Sequence, residues 1–331
     1  MDSSARIIST GIGSLPGDDP ARSNSLVSEV FPDLPYLVEL PDRGAGSDLI
    51  GRAATHLAEL HFDLQPSGWR LVDRAGSDER RAKSFFARDL DAFEDSLNGY
   101  QGSIKTQLTG PWTLAAQLNT SRGGAVLADQ GACRDIVQSL VEGARSYVAE
   151  LRKRVPGATK IFLQIDEPML PRVAAGEISS VSGLSRIRKP SRSEIVGAVG
   201  AFSEVADEFV LHCCAPGLDL DVLQDAGVNI VSIDYQQFSI DDMWGRWLES
   251  GRGAWFGVVS GVDAPLPKAS ATVGDMRQRL VSLGFDFASL AQGNTPLGLT
   301  ATCGYAGASE GYVRESAKRL AEMVDSIGEL S

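Results

Sequence analysis

The run FVLHCC, residues 209–214, is a short apolar segment that ends in metal-binding residue types. Its length and composition are typical of a buried strand. Side chains alternate along a strand, which places His212 and Cys214 on one face and Cys213 on the other. A second run of this kind, LGLTATC at 297–303, also ends in a cysteine. Because the chain has only three histidines and four cysteines, this pairing predicts that two strands bring soft ligands to one place.

Similar apolar runs recur along the chain and alternate with longer segments of helical pattern, which is typical of a parallel sheet built from βα units. The runs are 6–14, 36–40, 103–110, 160–167, 208–214, 229–234, 254–260 and 297–303. The clearest helical segments are 132–154, 191–207, 218–226 and 309–327. Eight strands in series predict an α/β fold, a (β/α)8 TIM barrel that spans residues 1–331 as one domain.

The connection between residues 40 and 103 is too long for one helix. Helical patterns at 48–60 and 78–97 flank a short extended piece, GWRLVD at 68–73. These segments predict a helix–hairpin–helix insertion after strand 2, in which the extended piece is a hairpin or a lid. The segment 171–190, rich in Gly, Ser and Ala, is predicted to be a loop at the mouth of the barrel.

The composition limits the classes of function. A net charge of −12 argues against a nucleic-acid partner, because phosphate binding needs a basic surface. No apolar stretch approaches the roughly 20 residues that span a bilayer, and residues 1–6 lack the apolar core of a secretory signal. Four cysteines, two of them adjacent, do not resemble a disulfide framework. We therefore expect a cytoplasmic protein that acts on a small organic substrate, with no membrane partner.

The active site of such a barrel lies at the C-terminal ends of its strands. Four potential metal ligands end predicted strands: His212, Cys214, Asp234 and Cys303. A thiolate-rich set of this kind suits Zn²⁺, and three protein ligands with an open position are typical of a catalytic zinc. The alternative is that the cysteines are small core residues and that the histidine is a satisfied core side chain.

Two other strand ends carry polar groups that suit an amino-acid substrate. The motif QIDEP at 164–168 offers Asp166 and Glu167, one of which can hold an α-amine, unless they are capping or salt-bridged carboxylates. Alternation lets only one of them face the barrel axis, and the pattern leaves open which. The turn GIGSLP at 11–16, with Gly13 and Ser14, is suited to a carboxylate or phosphate.

These motifs, taken together and in order, resemble the catalytic zinc barrel of the cobalamin-independent methionine synthase family. The matching pieces are IGSLP at 12–16, QLTGPWT at 107–113, QIDEP at 164–168, HCC at 212–214, ID at 233–234 and TCG at 302–304. The resemblance covers nearly the whole chain and implies transfer of a methyl group to the thiol of homocysteine, which gives methionine.

The resemblance also implies roles for individual residues. Zinc would be held by His212, Cys214, Asp234 and Cys303. The homocysteine carboxylate would lie at the turn formed by Gly13 and Ser14, and its amine would be bound by Asp166 and by Glu39, which closes the second strand. Coordination to Zn²⁺ would deprotonate a thiol whose usual pKa is ~8.5 and keep it nucleophilic.

The chain departs from the family pattern at three points. The metal-binding acid is Asp234 where the family has Glu, and no counterpart of the synthase's N-terminal barrel is found in this sequence. The family's proton-donating histidine is missing from the stretch 261–268, where Asp263 is the candidate replacement. We therefore expect a single-barrel core form whose donor is methyltetrahydrofolate or a methyl-corrinoid, the latter on a carrier protein. Trp112 is a candidate for the donor side, with a core role as the alternative.

Two other classes of function are compatible with the same pattern. One is a related barrel, a corrinoid-to-thiol methyltransferase or a uroporphyrinogen decarboxylase. A decarboxylase would need cationic side chains at the mouth, for which the candidates are Arg43, Arg186 and Arg188. The other is a non-catalytic module that binds zinc or thiols.

Overall fold

The computed structural model describes residues 7–180, 183, 185–292 and 295–329. Arg6, at the start of the first predicted strand, lies outside these residues, as do positions 181, 182 and 184 of the predicted mouth loop. The strands are β1 Ile8–Ser9, β2 His61–Gln65, β3 Gly68–Val72, β4 Gly102–Thr109, β5 Ala158–Asp166, β6 Glu208–Cys213, β7 Ile230–Asp234, β8 Gly253–Val259 and β9 Leu297–Ala301. The helices are α1 Pro20–Val30, α2 Leu49–Ala54, α3 Ser77–Ser96, α4 Pro111–Gln117, α5 Gln130–Arg154, α6 Leu170–Ala175, α7 Arg192–Gly200, α8 Leu220–Asp225, α9 Asp242–Glu249, α10 Ala269–Ser282, α11 Phe287–Gln292 and α12 Glu310–Gly328.

Seven strands form one curled parallel sheet in the order β1-β9-β8-β7-β6-β5-β4. Seven of the eight predicted apolar runs therefore contain a strand of this sheet, with ends that differ by a few residues. Helices follow most of the strands, as expected for βα units. The architecture is a mixed α/β fold whose curled sheet forms a half-barrel, which is consistent with a TIM-like barrel.

The prediction of a full second strand at 36–40 is wrong. This segment makes two isolated parallel bridges, Tyr36 with Lys105 of β4 and Glu39 with Ser14 beyond β1. The Glu39 N–H donates to the Gly13 carbonyl at 3.1 Å, and the Leu37 N–H donates to the Lys105 carbonyl at 3.1 Å. The segment thus bonds to both edges of the seven-stranded sheet. Pro35 and Pro41 flank it, and because proline has no N–H they restrict the ladder to single bridges.

A two-stranded antiparallel sheet lies between α2 and α3. Its strands β2 and β3 pair from His61 with Val72 to Gln65 with Gly68. The predicted extended piece at 68–73 corresponds to β3, whereas its partner β2 was not predicted. Asn119, after α4, exchanges backbone hydrogen bonds of 2.8 and 2.9 Å with Leu71 and Trp69 of β3. The function of this sheet as a lid stays a prediction.

One helix prediction and one loop prediction need correction. The segment 191–207 is helical only in α7, which ends at Gly200 and continues as turns. The predicted loop at 171–190 instead begins inside α6, which has Pro171 in its first turn and ends at Gly176. Proline is favoured in a first helical turn, and the positive φ of 73° at Gly176 is the usual glycine stop.

The barrel interior has an apolar floor below the strand ends. Leu34, Val210, Ile230 and Trp255 form a fully buried cluster there. Val210 is two residues before His212, so both side chains lie on the inner face of β6. His212 therefore lies closer to the end of β6 than Val210 does. None of the described helices is long and apolar enough to cross a membrane.

His56 provides a test of the packing around the insertion. Its ring is buried against Phe86 and Tyr147, at centroid distances of 4.5 and 4.7 Å. Burial, followed by the positive charge of Arg52, lowers the pKa of His56 from 6.5 to about 3. As the pH falls from 6.5 towards 3, the unfolded chain therefore binds a proton that the folded chain does not. We expect this group to lower the free energy of unfolding by about 1.4 kcal/mol per pH unit in that window.

The measurement is urea unfolding of the wild type and of His56→Gln across that pH range. In His56→Gln, the free energy of unfolding should fall less steeply as the pH is lowered from 6.5 towards 3. The control is His61→Gln, because the side chain of His61 is 38% exposed and lies 3.1 Å from Glu79. Equal slopes in the wild type and in His56→Gln would contradict the assignment.

Candidate metal centre

Three of the predicted ligands come together at the ends of two strands. His212 lies near the end of β6, Cys214 directly follows that strand, and Cys303 lies two residues beyond β9. One ligand atom from each lies within 4.8 Å of the others. His212 is buried, Cys214 is half-buried and Cys303 is exposed. The cluster is therefore open to solvent on the cysteine side.

The orientation of His212 leaves one ring nitrogen available. Its Nδ1 lies 3.0 Å from Oγ of Ser232, the residue opposite it on β7. Its Nε2 is buried and has no hydrogen-bond partner among the described residues. A buried polar atom without a partner costs about 1–3 kcal/mol, and a group bound to Nε2 would remove that cost. With Nδ1–H donating to Ser232, Nε2 carries the lone pair that a metal needs.

The two cysteines of the cluster shift each other's pKa in opposite directions. The neighbouring thiol of Cys214, followed by the imidazole of His212, lowers the pKa of Cys303 to about 4. The hydrogen bond with Cys303, followed by burial, raises the pKa of Cys214 above its usual value. Of the two thiols, Cys303 is therefore the one that ionises more readily. Thiolates and a neutral imidazole are the donors that zinc prefers.

Cys213 points away from the cluster, as strand alternation predicts. It is fully buried, and its thiol donates to the Ala215 carbonyl at 3.5 Å. Burial raises the pKa of Cys213 to about 12. A protonated, buried thiol is unreactive and is a poor metal ligand.

The structure does not bring Asp234 into the cluster. Its Oδ1 accepts a hydrogen bond of 2.9 Å from the Gln236 N–H, which caps the 3-10 helix Tyr235–Gln237. The chain turns into this helix directly after β7, and the short side chain of Asp is suited to capping its own turn. The cluster thus contains three potential ligands among the described residues, and coordination by Asp234 stays a prediction.

A substitution at Asp234 tests whether its side chain binds zinc. We expect Asp234→Asn to change zinc affinity by less than ~3-fold, well below the 10–100-fold that follows from loss of even an outer-shell partner. Asn can still accept the hydrogen bond from Gln236, so the local turn is retained. Competition with a chromophoric chelator measures the affinity. A loss of more than ~100-fold would restore Asp234 as a ligand.

The structure distinguishes between the two carboxylates of the QIDEP motif. Glu167 is fully buried and caps the first turn of α4: it accepts hydrogen bonds of 2.8 Å from the N–H groups of Trp112 and Thr113, and one of 2.7 Å from the Thr113 hydroxyl. Burial nevertheless raises the pKa of Glu167 to about 7. The capping alternative therefore applies to Glu167, and Asp166 is the residue that remains for the site.

Asp166 lies beside the cluster. It is opposite His212 in the register of β5 with β6, and its side chain is 7% exposed. Gln164 Nε2 donates to its Oδ1 at 2.7 Å, and Oδ2 accepts no hydrogen bond from the described residues. Burial, followed by the negative charge of Glu39, raises the pKa of Asp166 well above its usual range. A cationic group placed here would stabilise the ionised form.

The other predicted substrate residues lie at the same end of the sheet. Ser14 and Glu39 are bridged through their backbones. A Cβ on Gly304, the residue after the ligand Cys303, would lie 1.9 Å from Ser14 Oγ, so only glycine allows this close approach. Glu39 Oε1 is 3.4 Å from Arg52 Nε, and Glu39 acts electrostatically on Asp166. Ser14, Glu39 and Asp166 therefore converge on the side of the metal cluster.

Two buried cations of this region were not predicted. Arg52 on α2 joins Glu39 to Asp89 of α3, with a distance of 2.6 Å between Arg52 Nη1 and Asp89 Oδ2. Lys105 on β4 is fully buried, and burial lowers its pKa to about 7. A lysine in the middle of an apolar run was the signal for Lys105, whereas Arg52 lies in a helical segment without a distinguishing pattern.

The two residues proposed for the methyl-donor side differ in their surroundings. Trp112 is 3% exposed, belongs to the core, and lines a groove with Cys133 of α5 and Ala198 of α7. This position favours the core alternative. Asp263 is exposed, and its Oδ1 accepts a hydrogen bond of 2.8 Å from the Ser309 N–H before α12. Its role as a proton donor stays a prediction.

Comparison with solved structures shows the same fold over nearly the whole chain. A B12-independent methionine synthase from Shewanella sp. W3-18-1, in complex with selenomethionine, is similar with a TM-score of 0.63 and 12% identity, and the match covers 98% of both chains. A methyltransferase from Methanosarcina mazei is similar with a TM-score of 0.59 and 14% identity over 98% of this chain and 95% of that one. No protein-family model and no curated protein matches the sequence. At this identity the likeness establishes the fold, and the first neighbour carries the name of the family that the motifs resemble.

Proposed function

We propose that this chain is a zinc-dependent methyltransferase of the cobalamin-independent methionine synthase type, which moves a methyl group to the thiol of homocysteine. The observation that carries the proposal is the cluster of His212, Cys214 and Cys303 beside the buried Asp166. The fold of a methionine synthase in complex with selenomethionine supports it.

The residues of the cluster fit zinc. They provide one imidazole nitrogen and two sulfurs, and the buried Nε2 of His212 has no other partner among the described residues. Three protein ligands leave a position open, on the side where Cys303 is exposed. When bound, Zn²⁺ would lower the pKa of an entering thiol and stabilise the thiolate as a nucleophile.

The surrounding residues are suited to the amino-acid part of homocysteine. Asp166 Oδ2 would accept a charge-assisted hydrogen bond from the α-ammonium group, and Glu39 would add a second negative charge. The hydroxyl of Ser14 and the backbone of Gly13 would bind the carboxylate. Holding both ends of the amino acid fixes the direction of its side chain, so the thiol is positioned for in-line attack on a methyl carbon.

The decarboxylase alternative has little support among the described residues. Arg43 forms a bidentate pair with Asp89 at 2.7 and 2.8 Å, and Arg188 pairs with Glu194. Arg186 donates to the Gly176 carbonyl at 3.5 Å. The cations named for binding substrate carboxylates are therefore engaged elsewhere.

The proposal is tested by methionine formation from homocysteine by zinc-loaded protein, with methylcobalamin and with methyltetrahydrofolate polyglutamate in parallel. We expect turnover with methylcobalamin, because a methyl group on cobalt needs no proton donor. Turnover with the folate alone would keep the thiol chemistry but make Asp263 or a water molecule the candidate proton donor. Absence of product with both donors would contradict the proposal, and the non-catalytic module would then be favoured.

A further inference from the structure

Lys105 is a fully buried cation in the interior of the curled sheet. It belongs neither to the His212–Cys214–Cys303 cluster nor to the residues proposed to contact the substrate. Its Nζ donates to the Ile12 carbonyl at 2.8 Å, to Gln164 Oε1 at 3.0 Å and to Gln107 Oε1 at 3.3 Å. Burying an ammonium group costs several kcal/mol unless its hydrogens are bonded. Three oxygen acceptors use all three hydrogens of the ammonium group, so this geometry fits the charged form although burial opposes it.

Lys105 fixes the orientation of Gln164. Since an ammonium group only donates, the oxygen of the Gln164 amide must face Lys105. The amide nitrogen then faces the other way and donates to Asp166 Oδ1 at 2.7 Å and to the Ile12 carbonyl at 2.9 Å. Lys105 therefore acts on the Asp166 carboxylate through one intervening side chain, and it leaves Oδ2 free for a ligand.

The same ammonium group reaches the two other substrate segments. The Ile12 carbonyl, which accepts from both Lys105 and Gln164, directly precedes Gly13 and Ser14. Gln107 accepts from Lys105 and donates from Nε2 to the Leu37 carbonyl at 2.7 Å, two residues before Glu39. One buried group thus links the β5 carboxylate, the turn after β1 and the segment that ends at Glu39.

We propose that Lys105 is a positioning residue that holds Asp166, the Gly13–Ser14 turn and Glu39 in the arrangement that binds the α-amino and α-carboxylate groups of a thiol amino acid. This inference rests on the proposed function. Lys105 has no contact with the metal cluster, so it sets selectivity for the amino-acid part of the substrate and has no part in metal binding. Its positive charge also offsets the repulsion between the two carboxylates before the substrate ammonium arrives.

The test compares two thiols that differ only in the part that Lys105 is proposed to control. Binding of L-homocysteine and of propanethiol to zinc-loaded wild type and Lys105→Met is measured by titration calorimetry. We expect Lys105→Met to weaken homocysteine binding by about 10-fold or more, the range found for loss of an outer-shell partner, and propanethiol binding by less than ~2-fold. Zinc content should stay at the wild-type value. A general structural defect would weaken both thiols equally.

The outcomes separate this inference from the proposed function. Equal weakening of both thiols, or unchanged homocysteine binding, overturns the role of Lys105. Selective loss of homocysteine binding supports it even if the wild type forms no methionine, a result that would count against methyl transfer alone. If Lys105→Met does not fold, as judged by circular dichroism, Lys105→Gln keeps one donor group and provides the same comparison.

Discussion

Replacing Cys303 with serine should lower zinc affinity by at least ~100-fold, more than an outer-shell loss would. The pKa of Cys303 is lowered to about 4, and Cys303 follows β9, whereas His212 and Cys214 lie at the end of β6. Its loss leaves a two-ligand site on β6 that cannot close around the metal. Methionine formation should fall by about 10³-fold or more, because the acceptor thiol is then mostly protonated at neutral pH. His212→Ala should behave in the same way.

The control for this prediction is Cys133→Ser. Cys133 is buried in α5, and its thiol donates to the Val126 carbonyl at 3.5 Å, so a hydroxyl can replace it without affecting the cluster. Metal analysis of desalted protein and chelator competition measure occupancy and affinity. Full zinc occupancy in both Cys303→Ser and His212→Ala would overturn the site.

Replacing Asp166 with asparagine should raise the KM for homocysteine by roughly 10–100-fold while zinc content is unchanged. Hydrogen bonds to charged groups contribute about 1.5–3 kcal/mol, and each 1.4 kcal/mol corresponds to a factor of ten. Asn retains the size of the side chain and can still accept from Gln164, so the change removes mainly the negative charge. Steady-state kinetics at fixed methyl donor measures the effect.

A matched control for Asp166→Asn is Asp129→Asn. Asp129 is exposed and caps α5 by accepting a hydrogen bond of 2.8 Å from the Gly131 N–H, so the same chemical change there should leave the KM for homocysteine within ~2-fold, as is usual for surface substitutions. If Asp166→Asn has the wild-type KM, then the residue does not bind the amine, and Glu39 becomes the remaining candidate for that group.

Much of this architecture could be predicted from the sequence because most strands appear as short runs with apolar and β-branched residues, separated by segments of helical pattern. The runs at 103–110, 208–214 and 229–234 contain β4, β6 and β7 nearly residue for residue. The run at 36–40 has the same composition, but its pairing depends on the prolines on either side and on the two sheet edges it meets. Those are tertiary features that local composition does not contain.

The candidate site, too, could be predicted from the sequence only in part. Alternation along β6 was enough to place His212 and Cys214 together and to turn Cys213 away. It could not place Asp234, whose side chain bonds to its own turn, and it could not distinguish Asp166 from Glu167, which depends on the position of α4. The role of Lys105 required the hydrogen-bond network of four different segments, which only the folded chain brings together.

The most direct test of the zinc centre is X-ray absorption at the zinc edge on metal-loaded protein, measured with and without homocysteine. The structure predicts two sulfur neighbours and one imidazole from the protein, supplied by Cys214, Cys303 and His212. Homocysteine should raise the sulfur count by one. Failure of the protein to retain zinc, or a sulfur count that homocysteine leaves unchanged, would contradict the account.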